Sequence, residues 1–306
     1  MNFNHQSVLL NEAVDGVFTT ASGIYVDCTL GGAGHSLAIA QRLDATGKVI
    51  GIDQDAAAIA TATSRLANAN LACSYEVVRS NFSKLATIIK GQVDGIIFDL
   101  GVSSYQIDTA ERGFSYIKDA PLDMRMNQDA DFSALNVVNE YSQEELTRIF
   151  LDYGEERWSK RIAEFIVKAR STEPIKTTAE LVKIINQAIP KAAREHQHPE
   201  KRIFQAIRIE VNQELEILEN AFTTAIASLK PGGRLAIITF HSLEDRIAKN
   251  VLKKASLDCI CPPKQPICTC QHKRQVKLLK VIKPTAAEVA ANSRAKSAKL
   301  RIAIKL

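Results

Sequence analysis

The chain of 306 residues has 46% hydrophobic and 24% charged residues, as globular proteins do and disordered or fibrous ones do not. This length allows about two domains with a substantial buried core. No apolar run approaches the roughly 20 residues of a membrane span, and the first residues lack the basic start and apolar middle of a secretion signal. We therefore expect a cytoplasmic protein with no membrane partner.

The formal net charge of +5 is unevenly distributed along the chain. Residues 246–306 contain 15 Lys and Arg against two acids, or +13, whereas residues 1–245 carry −8. Clustered Lys and Arg favour a polyanionic partner, because binding to phosphates releases counterions. A solvated basic tail explains the same pattern without any partner.

The first hundred residues alternate between strand and helix patterns. The predicted strands cover 23–30, 48–53, 75–80 and 93–100, and the predicted helices cover 34–43, 56–69 and 82–90. Such alternation predicts βαβ units and an α/β fold with a mostly parallel sheet.

The pattern then changes to helices and loops before the α/β pattern returns. Residues 1–108 and 210–306 are predicted to form the two parts of one α/β domain, the second with the basic C-terminal segment. Residues 109–209 are predicted to form a helical insertion. After the insertion we predict a helix at 212–230, a PGG turn, and strands at 234–240, 276–282 and 299–306.

A glycine-rich loop, GGAGH (31–35), follows the first strand, and Asp53 ends the second. Glycines let the backbone approach a nucleoside cofactor, and the acid accepts hydrogen bonds from ribose hydroxyls. A tight turn would use the same glycines. The loop lacks the G-x-G-x-x-G spacing of dinucleotide sites, and Asp27 on the first strand suits a ligand with an ammonium group. S-adenosylmethionine therefore fits better than NAD.

Two further residues are candidates because of their places in the predicted sheet. Asp99 ends the strand 93–100, and ligands of parallel sheets lie beyond the carboxyl ends of strands. Phe82 follows the third strand, where its ring would either cover an adenine or belong to the core.

The chain resembles the bacterial family of 16S rRNA cytosine-N4 methyltransferases, known as RsmH or MraW. The resemblance rests on seven blocks, in order from residue 5 to 246: HQSVLLNEAVDGV, GGAGHS, FDLGVSSYQID with AERGFSY, PLDMRMN, YGEERW, FQAIRIEVNQELE and PGGRLAIITFHSLEDR. Tyr105 and Ala120 depart from the family, which commonly has proline and glycine there.

The resemblance implies a class I S-adenosylmethionine-dependent methyltransferase with a Rossmann-like sheet and an inserted helical domain. It also implies methyl transfer to N4 of cytosine 1402 in the decoding centre of the small ribosomal subunit, with no obligate protein partner evident. The cofactor-binding residues it implies are Ala33, Gly34, His35, Asp53, Phe82, Asp99 and Gln106.

The chemistry of the acceptor favours a catalytic role for Asp99. The lone pair of cytosine N4 is delocalised into the ring, so a group that accepts an N4 hydrogen would help the attack. Ser103 or Ser104 would assist, and Tyr105 or Phe114 would stack the base. Asp99 would otherwise bind only the methionine ammonium or cap a turn.

The motif HSLEDR follows the last parallel strand. We expect Ser242 to cap the following helix, with Asp245 as the acid three residues later. His241 and Arg246 would contact RNA, or His241 would have only a structural role.

The helical insertion would enclose the RNA, since a base within folded RNA must be splayed out to reach a cofactor. The basic stretch KAAREHQHPEKR (191–202) would contribute to that surface.

The segment CICPPKQPICTC (259–270) carries four of the six cysteines. Four thiolates can bind zinc, yet the usual structural spacing is C-x2-C, and a loop of buried or free thiols near the RNA is the alternative. No metal ligand is therefore assigned. Cys28 is predicted to be a core residue and Cys73 a surface residue.

Three other functions compete with rRNA methylation. A NAD-dependent oxidoreductase would need dinucleotide spacing, which the glycine loop lacks. A DNA amino-methyltransferase shares the chemistry, and a non-catalytic ribosome-assembly factor would retain only the cofactor pocket.

Overall fold

The computed structural model describes residues 7–191, 198–262, 265 and 267–306. Contacts divide the chain into two compact units, an α/β unit of Met1–Gly101 with Leu215–Leu306 and a helical unit of Val102–Glu214. The predicted domain boundaries, after residues 108 and 209, lie a few residues away, and the RNA-binding role of the insertion stays a prediction. His5 and Gln6 of the first block, and residues 192–197 of the basic stretch, lie outside the described ranges.

The α/β unit is built on a seven-stranded sheet. Its strands are β1 Ile24–Asp27, β2 Lys48–Asp53, β3 Ser74–Arg79, β4 Val93–Asp99, β5 Leu229–Thr239, β6 Val276–Leu278 and β7 Lys299–Lys305. The strand order is β3-β2-β1-β4-β5-β7-β6. Strands β1 to β5 pair in parallel, whereas β7 is antiparallel to both β5 and β6. The predicted mostly parallel sheet is confirmed.

The helices of the α/β unit alternate with strands, as predicted, whereas those of the helical unit follow one another without strands between them. Those of the α/β unit are α1 Leu10–Val17, α2 Gly34–Ala40, α3 Ala56–Ala67, α4 Leu85–Ile88, α11 Leu218–Ser228, α12 Ser242–Ala255 and α13 Ala286–Ala291. Those of the helical unit are α5 Ser104–Asp108, α6 Ala134–Glu140, α7 Gln143–Asp152, α8 Ser159–Arg170, α9 Thr178–Ala188 and α10 Pro199–Asn212. Within the described ranges, no helix is both long and apolar enough to cross a bilayer.

Several predicted elements differ in extent from the observed ones. The predicted helix 212–230 is α11 Leu218–Ser228, and the predicted helix 34–43 ends at Ala40. Strand β5 begins at Leu229, so PGG lies inside the strand, where the pairing with β4 shifts register. The predicted strand 276–282 is paired as a strand only over Val276–Leu278. The predicted helix 82–90 begins as a 3₁₀ turn over Phe82–Lys84 and ends at Ile88.

Strand β4 shows why the sheet carries helices on both faces. Successive side chains of a strand point to opposite faces. Ile96 and Phe98 pack in a core cluster with residues of α11 and α12, whereas Ile97 packs in a second cluster with residues of α1 and α2. All three are fully buried, so the apolar run of β4 is explained by cover on both faces.

The helical unit has its own hydrophobic core, to which α6, α7, α8, α9 and α10 contribute. A loop containing PLDMRMN is fixed to α10 by Asn212, whose amide donates to Met124 O at 2.8 Å and accepts from Met126 N at 2.7 Å. Arg112, which is buried, donates to the carbonyl oxygens of Arg125 and Met126. These two side chains therefore supply hydrogen-bond partners for backbone groups of Met124, Arg125 and Met126.

Gly113 in the helical unit is expected to tolerate no side chain. Its φ is +68°, and a Cβ atom there would collide with the carbonyl oxygen of Pro121 and lie 2.9 Å from Asp123 N. Since both neighbours are backbone atoms, we expect Gly113→Ala to lower the free energy of unfolding by about 2–4 kcal/mol in urea titrations. Gly91→Ala is the control for positive φ alone (+104°), because no atom lies within 4 Å of its Cβ. Equal effects of the two variants would contradict the collision.

Candidate active site

Three carboxylates lie at the carboxyl ends of neighbouring parallel strands. Asp53 ends β2, Asp27 ends β1 and Asp99 ends β4, and β1 lies between the other two strands. Asp27 is in register with Gly51 and Ile97, so Asp53 and Asp99 each lie two residues further along. The chain continues from β1 to β2 on one side and from β4 to β5 on the other side of the sheet. Open α/β sheets bind ligands at such a switch in strand order.

The glycine loop between β1 and α2 bends towards Asp53. The N–H of Gly31, whose φ is +48°, donates to Asp53 Oδ2 at 2.8 Å. Ala33 is the N-terminal cap residue of α2 and also has a positive φ of 60°. A Cβ atom on Gly34 would meet the hydroxyl of Ser7, whereas one on Gly32 would meet no atom within 4 Å. The backbone at Gly32 can therefore be approached closely by a ligand.

Asp53 is oriented by backbone donors. Its Oδ1 accepts from Asp55 N at 2.9 Å, and its Oδ2 accepts from Gly31 N. Burial raises the pKa of Asp53 to about 6, although these two hydrogen bonds oppose the rise; Asp55 and Asp27 add smaller electrostatic contributions. The fixed carboxylate retains lone pairs that can accept the hydroxyls of a ribose.

Asp27 and Asp99 are held by two short polar side chains that we had not predicted. Ser36 Oγ donates to Asp27 Oδ2 at 2.7 Å, and Thr29 Oγ1 accepts from Asp99 N at 2.6 Å. Thr29 and Ser36 both belong to the segment CTLGGAGHS. The only sign in the sequence of such a role was that Ser36 is a polar residue in the first turn of α2. Asp27 itself is 1% exposed.

The Asp99 side chain is 23% exposed, and its two oxygens have different surroundings. Within the described ranges, Oδ1 is buried and has no hydrogen-bond partner, and Oδ2 lies 3.7 Å from His35 Nδ1. Burial raises the pKa of Asp99 well above its usual range, with further contributions from Asp27 and Glu244. A buried carboxylate oxygen without a partner is costly, so a bound donor or cation would stabilise it.

The other candidate residues have different surroundings. His35 is buried in the first turn of α2. Phe82 is half-buried and packs edge-on against Phe98 at 5.5 Å, as a core residue would. Gln106 belongs to the helical unit, where its Oε1 accepts from Ser103 N at 3.0 Å and Ser103 Oγ accepts from Gln106 N. All the cofactor-binding candidates except Gln106 thus belong to the α/β unit.

The contacts of Ser103 and Phe114 argue against the roles predicted for them, which were assistance to Asp99 for Ser103 and stacking of the target base for Phe114. Ser103 Oγ is already used to cap α5. Phe114 is 8% exposed, packs in the core of the helical unit, and has the Arg112 guanidinium 5.8 Å from its ring centre. Tyr105 is half-buried, which makes it the better candidate for stacking a base.

The prediction that Ser242 caps α12 is wrong. The cap residue is His241, and Ser242 is the first helical residue. The acid three residues after the cap is Glu244, whose Oε2 accepts from Phe240 N at 2.8 Å and His241 N at 3.2 Å. Asp245 instead binds the side chains of Lys299 and Arg301, each at 2.8 Å. These two cations lower the pKa of Asp245 despite its partial burial.

The prediction that Cys73 is a surface residue is also wrong. Cys73 is 7% exposed, and its Sγ lies 3.5 Å from the carbonyl oxygen of Ala40. It precedes β3 and packs against α2, which covers that face of the sheet. Cys28 is buried as predicted, and burial raises the pKa of its thiol well above the usual range.

The acids at the ends of β1, β2 and β4 fit a ligand that combines ribose hydroxyls with positive charge. Asp53 faces the glycine loop with two fixed oxygens, and Asp99 offers a buried oxygen without a partner in the described part of the chain. S-adenosylmethionine carries a ribose, an ammonium and a sulfonium, so it matches these groups. With the strand order described above, the site defines a class I S-adenosylmethionine-dependent methyltransferase.

The chain belongs to the MraW methylase family, whose model matches residues 2–306. It is 53% identical over 315 aligned residues to a Clostridium botulinum protein named ribosomal RNA small subunit methyltransferase H, with 100% of both chains covered. Proteins of the same name from Clostridioides difficile and Brevibacillus brevis are 50% and 52% identical, and cover 100% of this chain with 100% and 99% of their own length. The family resemblance seen in the sequence is confirmed.

Proposed function

We propose that this chain methylates the rRNA of the small ribosomal subunit, and that its target is N4 of cytosine 1402 in 16S rRNA. The observation that supports the substrate class is the 50–53% identity, over the whole chain, to proteins named ribosomal RNA small subunit methyltransferase H. The target atom rests on the sequence blocks and on the chemistry of Asp99. This substrate agrees with the basic C-terminal segment and a cytoplasmic location.

Asp53 and the glycine loop hold the methyl donor in this proposal. The Asp53 carboxylate accepts the ribose hydroxyls, and the backbone at Gly32 and Gly34 lies along the ligand. Asp27 and Asp99 face the ammonium and the sulfonium, and this positive charge favours the ionised form of Asp99, so binding lowers its raised pKa. When bound, S-adenosylmethionine supplies an electrophilic methyl group, so the protein mainly has to position the acceptor.

Asp99 has a second role in the proposal. Its carboxylate accepts a hydrogen of the target amine, which directs the nitrogen lone pair towards the methyl group and gives the proton a place to go. A raised pKa makes the ionised carboxylate a better proton acceptor than an exposed aspartate. Ala33, His35 and Phe82 complete the proposed cofactor-binding set of the α/β unit, and the roles of Tyr105 and Gln106 stay predictions from the sequence.

Mass-spectrometric mapping of 16S rRNA tests the target. In cells that lack the protein, we expect the N4-methyl group on cytosine 1402 to be absent, and the wild-type gene should restore it. The Asp99→Asn variant, expressed at the same level, should not. An unchanged methyl group in the deletion strain would overturn the proposed target.

Methyl transfer to purified substrates separates this function from its rivals. We expect incorporation into small subunits or 16S rRNA and none into DNA, whereas a DNA amino-methyltransferase would show the reverse. An assembly factor without activity would bind small subunits and transfer no methyl group.

A further inference from the structure

Four cysteine side chains converge in the segment that joins α12 to β6. Cys259 and Cys261 lie on one arm of this segment, and Cys268 and Cys270 lie on the other. Cys268 Sγ is 3.4 Å from Cys259 Sγ, 4.0 Å from Cys261 Sγ and 3.6 Å from Cys270 Sγ. The Cys259 and Cys270 sulfurs are 3.7 Å apart, and all four sulfurs lie within 4.8 Å of one another.

We propose that these four thiolates bind one Zn²⁺ ion in a structural site. A Zn–S bond is about 2.3 Å, so the sulfurs of a tetrahedral site are separated by about 3.8 Å. The four sulfur separations given above bracket this value. A disulfide would instead bring two sulfurs to about 2.05 Å, and none of these pairs is that close.

The arrangement of the two arms removes the objection raised by the C-x-C spacing. A single C-x-C pair would form a small chelate ring with the ion and would have no further ligands to fix its geometry. Here each arm contributes two sulfurs, and Cys259 contacts both Cys268 and Cys270 across the segment. The tetrahedron is therefore completed by contacts between the arms.

Backbone donors are already directed at the sulfurs. Ile260 N lies 3.4 Å from Cys270 Sγ, and Cys261 N lies 3.4 Å from Cys259 Sγ. Such N–H donors stabilise the negative charge of metal-bound thiolates. His272 is not needed as a ligand, because its Nε2 donates to the carbonyl oxygen of Lys254 at 2.9 Å.

The base of the segment is closed independently of the cysteines. Gln275 N donates to the carbonyl oxygen of Ala255 at 2.8 Å, and Arg274 forms an ion pair with Asp258 at 2.9 Å. These contacts join the two arms at the end of α12. The cysteines therefore lie in a loop whose ends are fixed, as a preformed metal site requires.

The loop needs a source of stability other than a hydrophobic core. Between α12 and β6, the described residues form no helix or strand. Ile260 and Ile267 are 40% and 75% exposed, and Cys259 and Cys268 are exposed as well. Unpaired cysteines are usually buried, so four of them clustered at a surface call for another explanation. A metal supplies the stability that small segments cannot obtain from packing.

The filled coordination sphere makes the site structural. Catalytic zinc keeps one position open for water or substrate, whereas four thiolates leave none. An iron–sulfur cubane separates its thiolates more widely than a single ion does. The proposal depends on no residue of the candidate active site and stands apart from the proposed function.

Metal analysis of the full-length protein, purified without chelators, tests the proposal. We expect about one zinc per chain, and X-ray absorption should show four sulfur ligands at about 2.3 Å. Cys268→Ser should lose most of the zinc, because Cys268 contacts the three other sulfurs. Ile267→Ser is the matched control, since it makes the neighbouring exposed residue polar and should keep the full zinc content.

Cobalt titration of the chelator-treated wild-type protein keeps the test valid if Cys268→Ser misfolds. We expect one equivalent of Co²⁺ to give the visible absorption of tetrahedral cobalt thiolate. Limited proteolysis should cut within residues 257–275 only after chelation. Metal-free protein with four reactive thiols, two disulfides on non-reducing mass spectrometry, or bound iron with sulfide would each overturn the proposal.

Discussion

Asp99→Asn is expected to reduce the turnover number for methyl transfer by about 10²–10⁴-fold, the range that general acid–base groups contribute. The amide can accept a hydrogen bond from the target amine but cannot take its proton. The Kd for S-adenosylmethionine should rise less than about tenfold, because Asp53 and the glycine loop are intact. Single-turnover kinetics with saturating cofactor, together with calorimetric titration of the cofactor alone, separate the two quantities.

Asp94→Asn is the matched control for Asp99→Asn. Asp94 belongs to the same strand but lies at the opposite end, where its Oδ2 accepts from Lys230 Nζ and from Ile24 N, each at 2.8 Å. Its substitution makes the same chemical change away from the site, so turnover should stay within about twofold of the wild type. If Asp99→Asn lost only cofactor affinity, Asp99 would bind the ammonium alone. Unchanged turnover and affinity would remove it from both roles.

Asp53→Asn is expected to weaken S-adenosylmethionine binding by about 10–100-fold, because hydrogen bonds to a charged group contribute about 1.5–3 kcal/mol. Turnover at saturating cofactor should change little, since Asp53 is remote from the transferred methyl group in the proposed arrangement. Asp15→Asn, an exposed aspartate paired with Arg42, is the control and should bind normally.

The pH dependence of cofactor binding gives a second measurement on Asp53. Its pKa is raised to about 6 in the free protein, and the ribose hydroxyls favour the ionised form, so binding lowers that pKa. Wild-type affinity should therefore rise with pH up to about 6 and level off above it, with proton release on binding in the rising range. The affinity of the Asp53→Asn variant should lack this rise with pH, because its amide does not ionise. Identical pH profiles for the two proteins would contradict a role for the Asp53 charge.

Two residues of the candidate site, Asp53 and Asp99, were proposed from local patterns, whereas His35 and Gln106 were proposed from the family resemblance. An apolar run that stops at an acid identified Asp99, and the next-strand position identified Asp53. The cap of α12 was not predictable from the same kind of pattern, because both His241 with Glu244 and Ser242 with Asp245 fit the spacing. Lys299 and Arg301 of β7 donate hydrogen bonds to the Asp245 carboxylate, and the sequence around Asp245 does not predict these contacts.

Thr29 and Ser36 were missed for a related reason. Their hydroxyls bind Asp99 N and the Asp27 carboxylate, so their role depends on how β1, β4 and α2 lie together. The four cysteines of residues 259–270 were identified in the sequence, but their spacing did not decide whether they bind a metal ion. Only the approach of the two arms brings Cys259 within 3.4 Å of Cys268.

The sequence by itself determined the alternation of strands and helices, the helical insertion and the acids that end β1, β2 and β4. Periodicity and chain-breaking residues act over a few positions, so they can be recognised without the fold. The tertiary structure decided that β1 lies between β2 and β4, that β7 runs antiparallel, and that four thiols meet. These features depend on pairings between residues far apart in the chain, where burial on both faces of the sheet selects one register and order.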